Sequence, residues 1–305
     1  MAKPFLTVEQ QVALLQRRGM EVREEEAIPI LLRDNYYSII NGYKDPFLDN
    51  KAMQASADDI YLPGTTFSSL YTLFLFDRNL RQIVFRYLIQ AESALKTATV
   101  YSFCFHHRGC SDYLDRQSFV DARNMLVSKH FRGNVTRLHA QNLSQLITLL
   151  NEKQTMTKRT RPFTAHYLKK YGEVPLWVLA NDLTFGNMSH FYQLMTRRDQ
   201  ILVCQPLYKS TSRPAGSAHI TPHQVLRAYK VLVFFRNLCA HDERLYCAKE
   251  DGMTFATIWE VIGTALSTDE MERFRNEIVS LVAEYENRLK GISKDEMMNL
   301  LGITE

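Results

Sequence analysis

The sequence predicts an all-α fold, a helical bundle. Only 12 glycines and 9 prolines are scattered through 305 residues, so few positions interrupt a helix. Apolar residues recur mainly three and four positions apart, which is the spacing of one helix face and not the alternation of a half-buried strand. The sequence contains no internal repeat and no low-complexity tract.

The amino-terminal part is predicted to form short helices. Thr7 and Gln10 provide a potential capping box at the start of a helix over residues 7–18, and further helical pieces are expected over residues 28–40. Residues 49–64 mix polar side chains with a Pro-Gly pair, which predicts a loop.

A long helix with an apolar stripe is predicted next. The stripe consists of Leu73, Phe76, Leu80, Val84, Tyr87, Ala91, Leu95, Ala98 and Tyr101. The other face carries Arg78, Arg81, Arg86, Glu92 and Lys96. This spacing predicts that the stripe faces a core and that the charged side chains lie at the surface.

Two later helices have recognisable starts. Thr221 followed by Pro222 predicts one, because threonine accepts from first-turn amides and proline loses nothing there by lacking an N–H. The following residues up to Phe235 are largely apolar, so this helix must be buried. Ser267 with Glu270 predicts a capping box at the start of the other.

The central block gives weaker signals. Trp177 is predicted to anchor core packing, as large aromatic residues usually do. Residues 185–186 (Phe-Gly) indicate a break between helices, with Asn187 or Ser189 as the cap of the next one. Residues 209–218 are predicted to form a loop.

Composition limits the class of protein and its environment. The five cysteines contain no C-x-x-C pair and predict reduced thiols, and the His-His pair at 106–107 lacks the paired ligands of structural zinc. No apolar leader and no run of ~18 apolar residues is present, so we expect a cytoplasmic protein without membrane association. No nucleotide-binding loop or paired-carboxylate metal site appears, which predicts no cofactor and no metal. The net charge of +4 is too small to identify a nucleic-acid partner.

The end of the buried helix carries the candidate chemistry. After an apolar run, Arg236 and Asn237 are followed by His241, five positions beyond the arginine. Arginine can bind two phosphate oxygens, and the ordinary pKa of histidine, ~6.5, suits proton transfer near neutrality. Such a set could cleave RNA without metal by activating the 2′-hydroxyl, with Asn237 holding the histidine or the phosphate.

Spacing alone is weak evidence for this site. Similar arginine and histidine pairs occur at Arg123 with His130, Arg132 with His139, Arg159 and Arg161 with His166, and Arg213 with His219. Context distinguishes Arg236 and His241, because asparagine follows the arginine and the helix is too apolar to be a solvated face. The alternative is that both residues cap the helix by bonding its last carbonyls.

At these residues the sequence resembles the AbiD/AbiF-type abortive-infection proteins of bacteria, which are similar to HEPN ribonucleases. The resemblance is carried by Arg236-Asn237-Leu238-Cys239-Ala240-His241 with Arg244-Leu245, Lys3-Pro4-Phe5, Asn35-Tyr36-Tyr37 with Asn41-Gly42-Tyr43, Phe76-Asp77-Arg78-Asn79-Leu80-Arg81 with Glu92, Pro175-Leu176-Trp177 and Phe185-Gly186-Asn187-Met188-Ser189. It spans nearly the whole chain. One departure is Tyr246-Cys247, where the family has tryptophan and asparagine.

The resemblance implies a function and an architecture. It implies phage defence by an RNA endonuclease with a catalytic set of Arg236, Asn237 and His241, and Glu92 and Arg244 as supporting candidates. It implies a HEPN-like helical domain over residues 66–305 with residues 1–65 packed on it, or one continuous unit. It also implies a homodimer with one composite site, and a small non-coding RNA as a possible partner; no DNA partner is expected.

Other basic residues are candidates for RNA binding. Arg159, Arg161, Lys169 and Lys170 are interleaved with aromatic residues over residues 158–170, a pattern that suits single-stranded RNA but equally a solvated helix face. Arg78 and Arg81 either line an RNA groove or are plain surface. Two functions compete with the endonuclease: an RNA-binding protein without catalysis, and a structural helical adaptor.

Overall fold

The structure, a computed structural model, describes residues 4–55, 58–127, 131–155, 157, 160–211 and 219–303. These residues are predominantly helical, which confirms the predicted all-α class. The helices are α1 (Val8–Arg17), α2 (Glu24–Asp34), α3 (Phe67–His106), α4 (Val135–Lys153), α5 (Pro162–Tyr171), α6 (Leu176–Leu179), α7 (Phe185–Leu194), α8 (Arg197–Ser210), α9 (Pro222–Ala240), α10 (Phe255–Ile262), α11 (Thr268–Tyr285) and α12 (Lys294–Leu300). None of these helices combines the length and the apolar run that crossing a bilayer requires.

A short hairpin and several tight turns complete the described chain. Strands β1 (Lys249–Glu250) and β2 (Met253–Thr254) pair antiparallel, with Lys249 opposite Thr254. The 3₁₀ turns are Asp45–Phe47, Ala52–Ala55, Asp112–Leu114, Arg116–Ser118, Ala122–Asn124 and Ala180–Asp182, and Tyr37–Asn41 forms one wider, π-helical turn. Residues 49–51 and 58–64 lie outside the helices, as predicted. The second predicted loop began too early, because residues 209–210 belong to α8, and its residues 212–218 fall outside the described residues.

Local capping sets the starts of the helices recognised in the sequence. Thr7 and Gln10 form the reciprocal capping box of α1. At α11 the backbone N–H of Ser267 donates to Glu270 over 2.8 Å, and the N–H of Glu270 donates back to the serine hydroxyl over 3.3 Å. Thr221 caps α9 in the same way. These helix starts are confirmed because their signals depend on residues only three positions apart.

The central block differs from the prediction. Helix α7 starts at Phe185, and the hydroxyl of Thr184 caps it by accepting from the N–H of Asn187 over 3.1 Å. Asn187 is therefore the third residue of the helix, and Gly186 and Ser189 lie inside it, so the predicted caps are wrong, and the predicted break falls slightly earlier, at residues 183–184. Threonine one position earlier supplies the side-chain oxygen that a helix start needs.

The chain divides into two compact units. The first comprises Met1–Val84, His241–Ala256 and Arg275–Glu305, and the second Phe85–Ala240 and Thr257–Phe274. Within the first unit α1 contacts α2, and the rings of Phe76 and Tyr285 lie 5.5 Å apart. Within the second, α7 packs on α4 and α9, and the hydroxyls of Thr99 and Tyr229 are 2.7 Å apart, which joins α3 to α9.

The apolar stripe of α3 is buried as predicted, with one exception. Its residues from Leu73 to Ala98 are at most 5% exposed. Tyr101 is 57% exposed, because it stands near the carboxyl end of the helix beside an open groove. Trp177 is 55% exposed, so its predicted role as a core anchor is wrong. The buried side of the four-residue helix α6 is occupied by its other members, Leu176, Val178 and Leu179.

Candidate functional site

The carboxyl end of α9 presents the motif. Arg236 and Asn237 lie in the last turns of the helix, which ends at Ala240, and His241 begins the turn that follows. Asp242 has a φ of 58°, a left-handed conformation that aspartate adopts more readily than most residues. Such a residue terminates a helix and redirects the chain.

Arg236 lies beside Glu92 in the second unit. Its Nε is 3.6 Å from Glu92 Oε2, and its side chain is 33% exposed. Its Nη1 is 3.5 Å from Asn237 Oδ1, a distance at the outer limit for a hydrogen bond. Among the described residues, Nη2 has no hydrogen-bond partner. Nε is buried and makes no hydrogen bond among the described residues, so the guanidinium lies near a carboxylate while Nη2 stays available to an anionic ligand. The other carboxylate oxygen of Glu92, Oε1, lies 3.7 Å from Lys96 Nζ.

His241 and Asn237 are exposed. Within the part of the chain that the structure describes, the imidazole of His241 has neither a hydrogen bond nor an ion pair. The fold therefore leaves both ring nitrogens available to contact a ligand.

A buried ionic cluster holds the residues that follow His241. Asp77 is fully buried in the first unit and accepts from the backbone N–H groups of Leu245 over 3.0 Å and Tyr246 over 2.8 Å. It also accepts from the hydroxyl of Tyr43 over 2.7 Å and from Arg81 Nη1 over 2.6 Å. Burial raises the pKa of Tyr43 above its ordinary value, so the phenol keeps its proton and remains a donor.

Arg81 completes this cluster and is only 3% exposed. Its Nη2 donates to the carboxylate of Asp242, and Nη1 donates to the backbone carbonyl of Glu243 over 3.2 Å. We call Asp77, Arg81, Tyr43 and Asp242 the Asp77 cluster. The expectation of a surface Arg81 is wrong, because the guanidinium neutralises two carboxylates inside the unit.

Arg78 is also engaged in the first unit. It donates to Asp34 over 3.0 Å, lies 4.0 Å from Asp242, and stacks over the ring of Phe74 at 4.4 Å. The sequence offered a signal for this arrangement that was missed. Asp77 lies four positions after Leu73 on the apolar stripe of α3, and a carboxylate on such a stripe requires a buried cation as its partner.

The remaining candidates are spread over both units. Arg244 pairs with Asp45 over 2.9 Å in the first unit. In the second, Arg161 pairs with Asp182 over 2.8 Å, whereas Lys169 and Lys170 are exposed on the last turn of α5. Lys170 Nζ is 5.1 Å from the centre of the exposed Tyr171 ring. Arg159 lies outside the described residues.

Both imidazoles of the His-His pair at 106–107 contact one buried carboxylate. His106 Nδ1 and His107 Nε2 lie 2.6 and 3.2 Å from the two oxygens of the buried Asp199. Neither these three side chains nor any other group of His, Cys, Asp or Glu in the described ranges has an arrangement that could hold a metal ion.

The fold and the motif together define a class: an all-α protein that presents arginine, asparagine and histidine at the end of a buried helix. The family model of Abi-like proteins matches residues 29–247, and the chain therefore belongs to the Abi-like family. Membership of this family points to abortive infection, a defence against phage. No curated protein and no solved structure matches the chain.

Proposed function

We propose that this Abi-like chain is a metal-independent RNA endonuclease of the HEPN type, with Arg236, Asn237 and His241 as its catalytic set. One observation carries the proposal. These three side chains lie at or near the surface at the end of α9 and are not used to stabilise that helix end.

The capping alternative has no support among the described contacts. Neither Arg236 nor His241 donates to a carbonyl of α9 within the described residues. The chain after the helix is held by buried groups instead, since Arg81 binds Asp242 and Glu243 while Asp77 accepts from the next two amides. A partly exposed cation with a free Nη2 among the described residues and an exposed imidazole without a described partner favour a role in ligand chemistry.

The proposed mechanism divides the chemistry among these residues. The 2′-hydroxyl attacks the adjacent phosphorus and expels the 5′-oxygen, with His241 transferring the proton. Arg236 neutralises charge that develops on the phosphoryl oxygens, and Glu92 is the carboxylate 3.6 Å from its Nε. Asn237 binds the phosphate or the imidazole. The test is RNA cleavage in EDTA by the wild-type chain and by His241→Ala.

The family resemblance extends this proposal to a homodimer. Each chain supplies one such motif, and a two-fold axis would place two copies of His241 across one cleft. We expect light scattering at micromolar concentration to give twice the 35.5 kDa chain mass. A monomeric mass in a sample that cleaves RNA at its full rate would contradict the composite site.

RNA binding without cleavage is the second candidate function, and α5 favours it. The exposed Lys169 and Lys170 adjoin the exposed ring of Tyr171, so cations and a stacking surface occur together. The same surface would hold the substrate of the nuclease, or a small non-coding RNA.

Changing Lys169 and Lys170 to glutamine should weaken RNA binding and flatten its salt dependence. Each lost phosphate contact removes about 0.7 from the slope of log affinity against log salt on a single strand, so the pair should remove up to about 1.4. Fluorescence anisotropy over a salt series measures this slope. Lys51→Gln with Lys290→Gln, at two exposed sites in the first unit, is the matched control. A slope equal to that of the wild type would show that α5 makes no contact with RNA phosphate and is only a solvated helix face.

A further inference from the structure

A groove runs along the carboxyl-terminal part of α3 in the second unit. It has a volume of about 650 Å³ and lies between the last turns of α3 and helix α6. Its lining includes Tyr101, Phe105, Arg108, Trp177 and Asn181. We call it the Trp177 groove.

Three large aromatic side chains of this groove face solvent. Trp177 and Tyr101 are more than half exposed, and Phe105 is 45% exposed. Single exposed apolar residues are common, but several rings in one concave surface mark a binding site. The two-ring indole of Trp177 offers a flat face of the kind on which a planar ligand stacks.

The polar groups of the groove suit an anionic ligand with hydrogen-bonding edges. The guanidinium of Arg108 lies 5.0 Å from the ring centre of Phe105, and none of the described lining residues is acidic. The side-chain amide nitrogen of Asn181 donates to the carbonyls of Trp177 and Val178. Its Oδ1, which has no partner in the described chain, can accept from a ligand N–H.

The groove begins beside the proposed cleavage site. Lys96, in its lining, is 3.7 Å from Glu92, which is 3.6 Å from Arg236. At a helical rise of ~1.5 Å per residue, Tyr101 lies about 14 Å along α3 from Glu92. The nine residues from Glu92 to Tyr101 are also about two and a half helical turns, so a nucleic-acid strand with one phosphate at Arg236 would reach the exposed rings by crossing the groove from Lys96 to Tyr101.

We propose that the Trp177 groove binds unpaired bases of the RNA strand that flank the phosphate held by Arg236. This inference rests on the proposed function for the identity of the strand. Bases stack on the aromatic rings, Arg108 binds backbone phosphate, and Asn181 contacts a base edge. Paired bases are already stacked within a duplex, so the groove selects single-stranded RNA.

The test is binding of a fluorescein-labelled 2′-O-methyl oligoribonucleotide, which cannot be cleaved through its 2′-oxygen. Trp177→Ala should weaken binding roughly 5- to 150-fold, the range for loss of one base-stacking side chain. Tyr37→Ala removes a ring in the first unit that is even more exposed, at 72%, and should leave affinity unchanged. Both sites are exposed, so circular dichroism should show both variants folded.

The outcomes separate this inference from the cleavage proposal. If Trp177→Ala weakens binding but the wild-type chain cleaves no RNA, the groove stands and the nuclease fails. Equal affinities of Trp177→Ala and the wild type overturn the groove, even if RNA is cleaved. A folded Trp177→Ala that loses self-association and keeps its RNA affinity also overturns it, because the groove would then bind a second protein chain.

Discussion

Replacing His241 with alanine is expected to lower the rate of RNA cleavage by ~10²–10⁴-fold, the usual contribution of a general acid or base. The side chain is exposed and follows α9 without supporting it, so the melting temperature and the affinity for RNA should stay close to wild type. Cleavage is measured with a labelled single-stranded RNA in the presence of EDTA.

The products and a second histidine make this test specific. Attack by the 2′-hydroxyl leaves a 2′,3′-cyclic phosphate, which mass spectrometry identifies at the product ends. His223→Ala, at an exposed position in the first turn of the same helix, is the matched control and should cleave normally. A His241→Ala chain that melts far lower but cleaves at the wild-type rate per folded molecule would make His241 a helix cap.

Replacing Asp77 with alanine is expected to lower the free energy of unfolding by about 3–5 kcal/mol, the usual cost of removing one partner from a buried ion pair. The change removes the acceptor for Arg81, for the Tyr43 hydroxyl and for two backbone amides, all inside the first unit. Urea denaturation followed by circular dichroism measures the difference from wild type.

An exposed ion pair of the same unit serves as the control for Asp77→Ala. Asp45 and Arg244 pair at the surface, so Asp45→Ala should cost no more than about 0.2–1 kcal/mol. Combining Asp77→Ala with Arg81→Met should cost less than the sum of the single changes, since the double variant leaves no unpaired cation. Equal costs for Asp77→Ala and Asp45→Ala would mean that the buried cluster adds nothing to stability.

The sequence was most informative where the determining interactions are local. The starts of α1, α9 and α11 depend on side chains three positions apart, and all three were predicted correctly. The buried side of α3 follows from helical spacing alone. The motif at Arg236 and His241 was located by an abrupt change from apolar to ionisable residues, and its catalytic role stays a prediction.

Contacts made after folding determine the burial of two residues that local sequence patterns predicted wrongly. Arg81 occupies a position on the charged face of α3, yet it is buried because Asp242, from a distant part of the chain, meets it beside Asp77 of the same helix. Trp177 has the composition of a core residue, but its neighbours Leu176 and Val178 occupy the buried side of α6. The exposure of Trp177 does not follow from residue type or periodicity, and for Arg81 the position of Asp77 on the apolar stripe indicates a buried cation but not the contact with Asp242.

The Asp77 cluster supplies a filter for genome-scale searches, in which a bare arginine and histidine spacing returns many accidental matches, as this chain itself illustrates. A true relative should combine Asp-x3-Arg within a long helix with an aspartate directly after the motif histidine, as Asp77, Arg81 and Asp242 do here. These positions should change together during divergence: loss of the arginine to an apolar residue should accompany loss of both acids. Asparagine at position 242 would preserve the left-handed turn but would remove the negative charge that pairs with Arg81. Asparagine at this position would therefore identify lineages in which the arginine is being replaced.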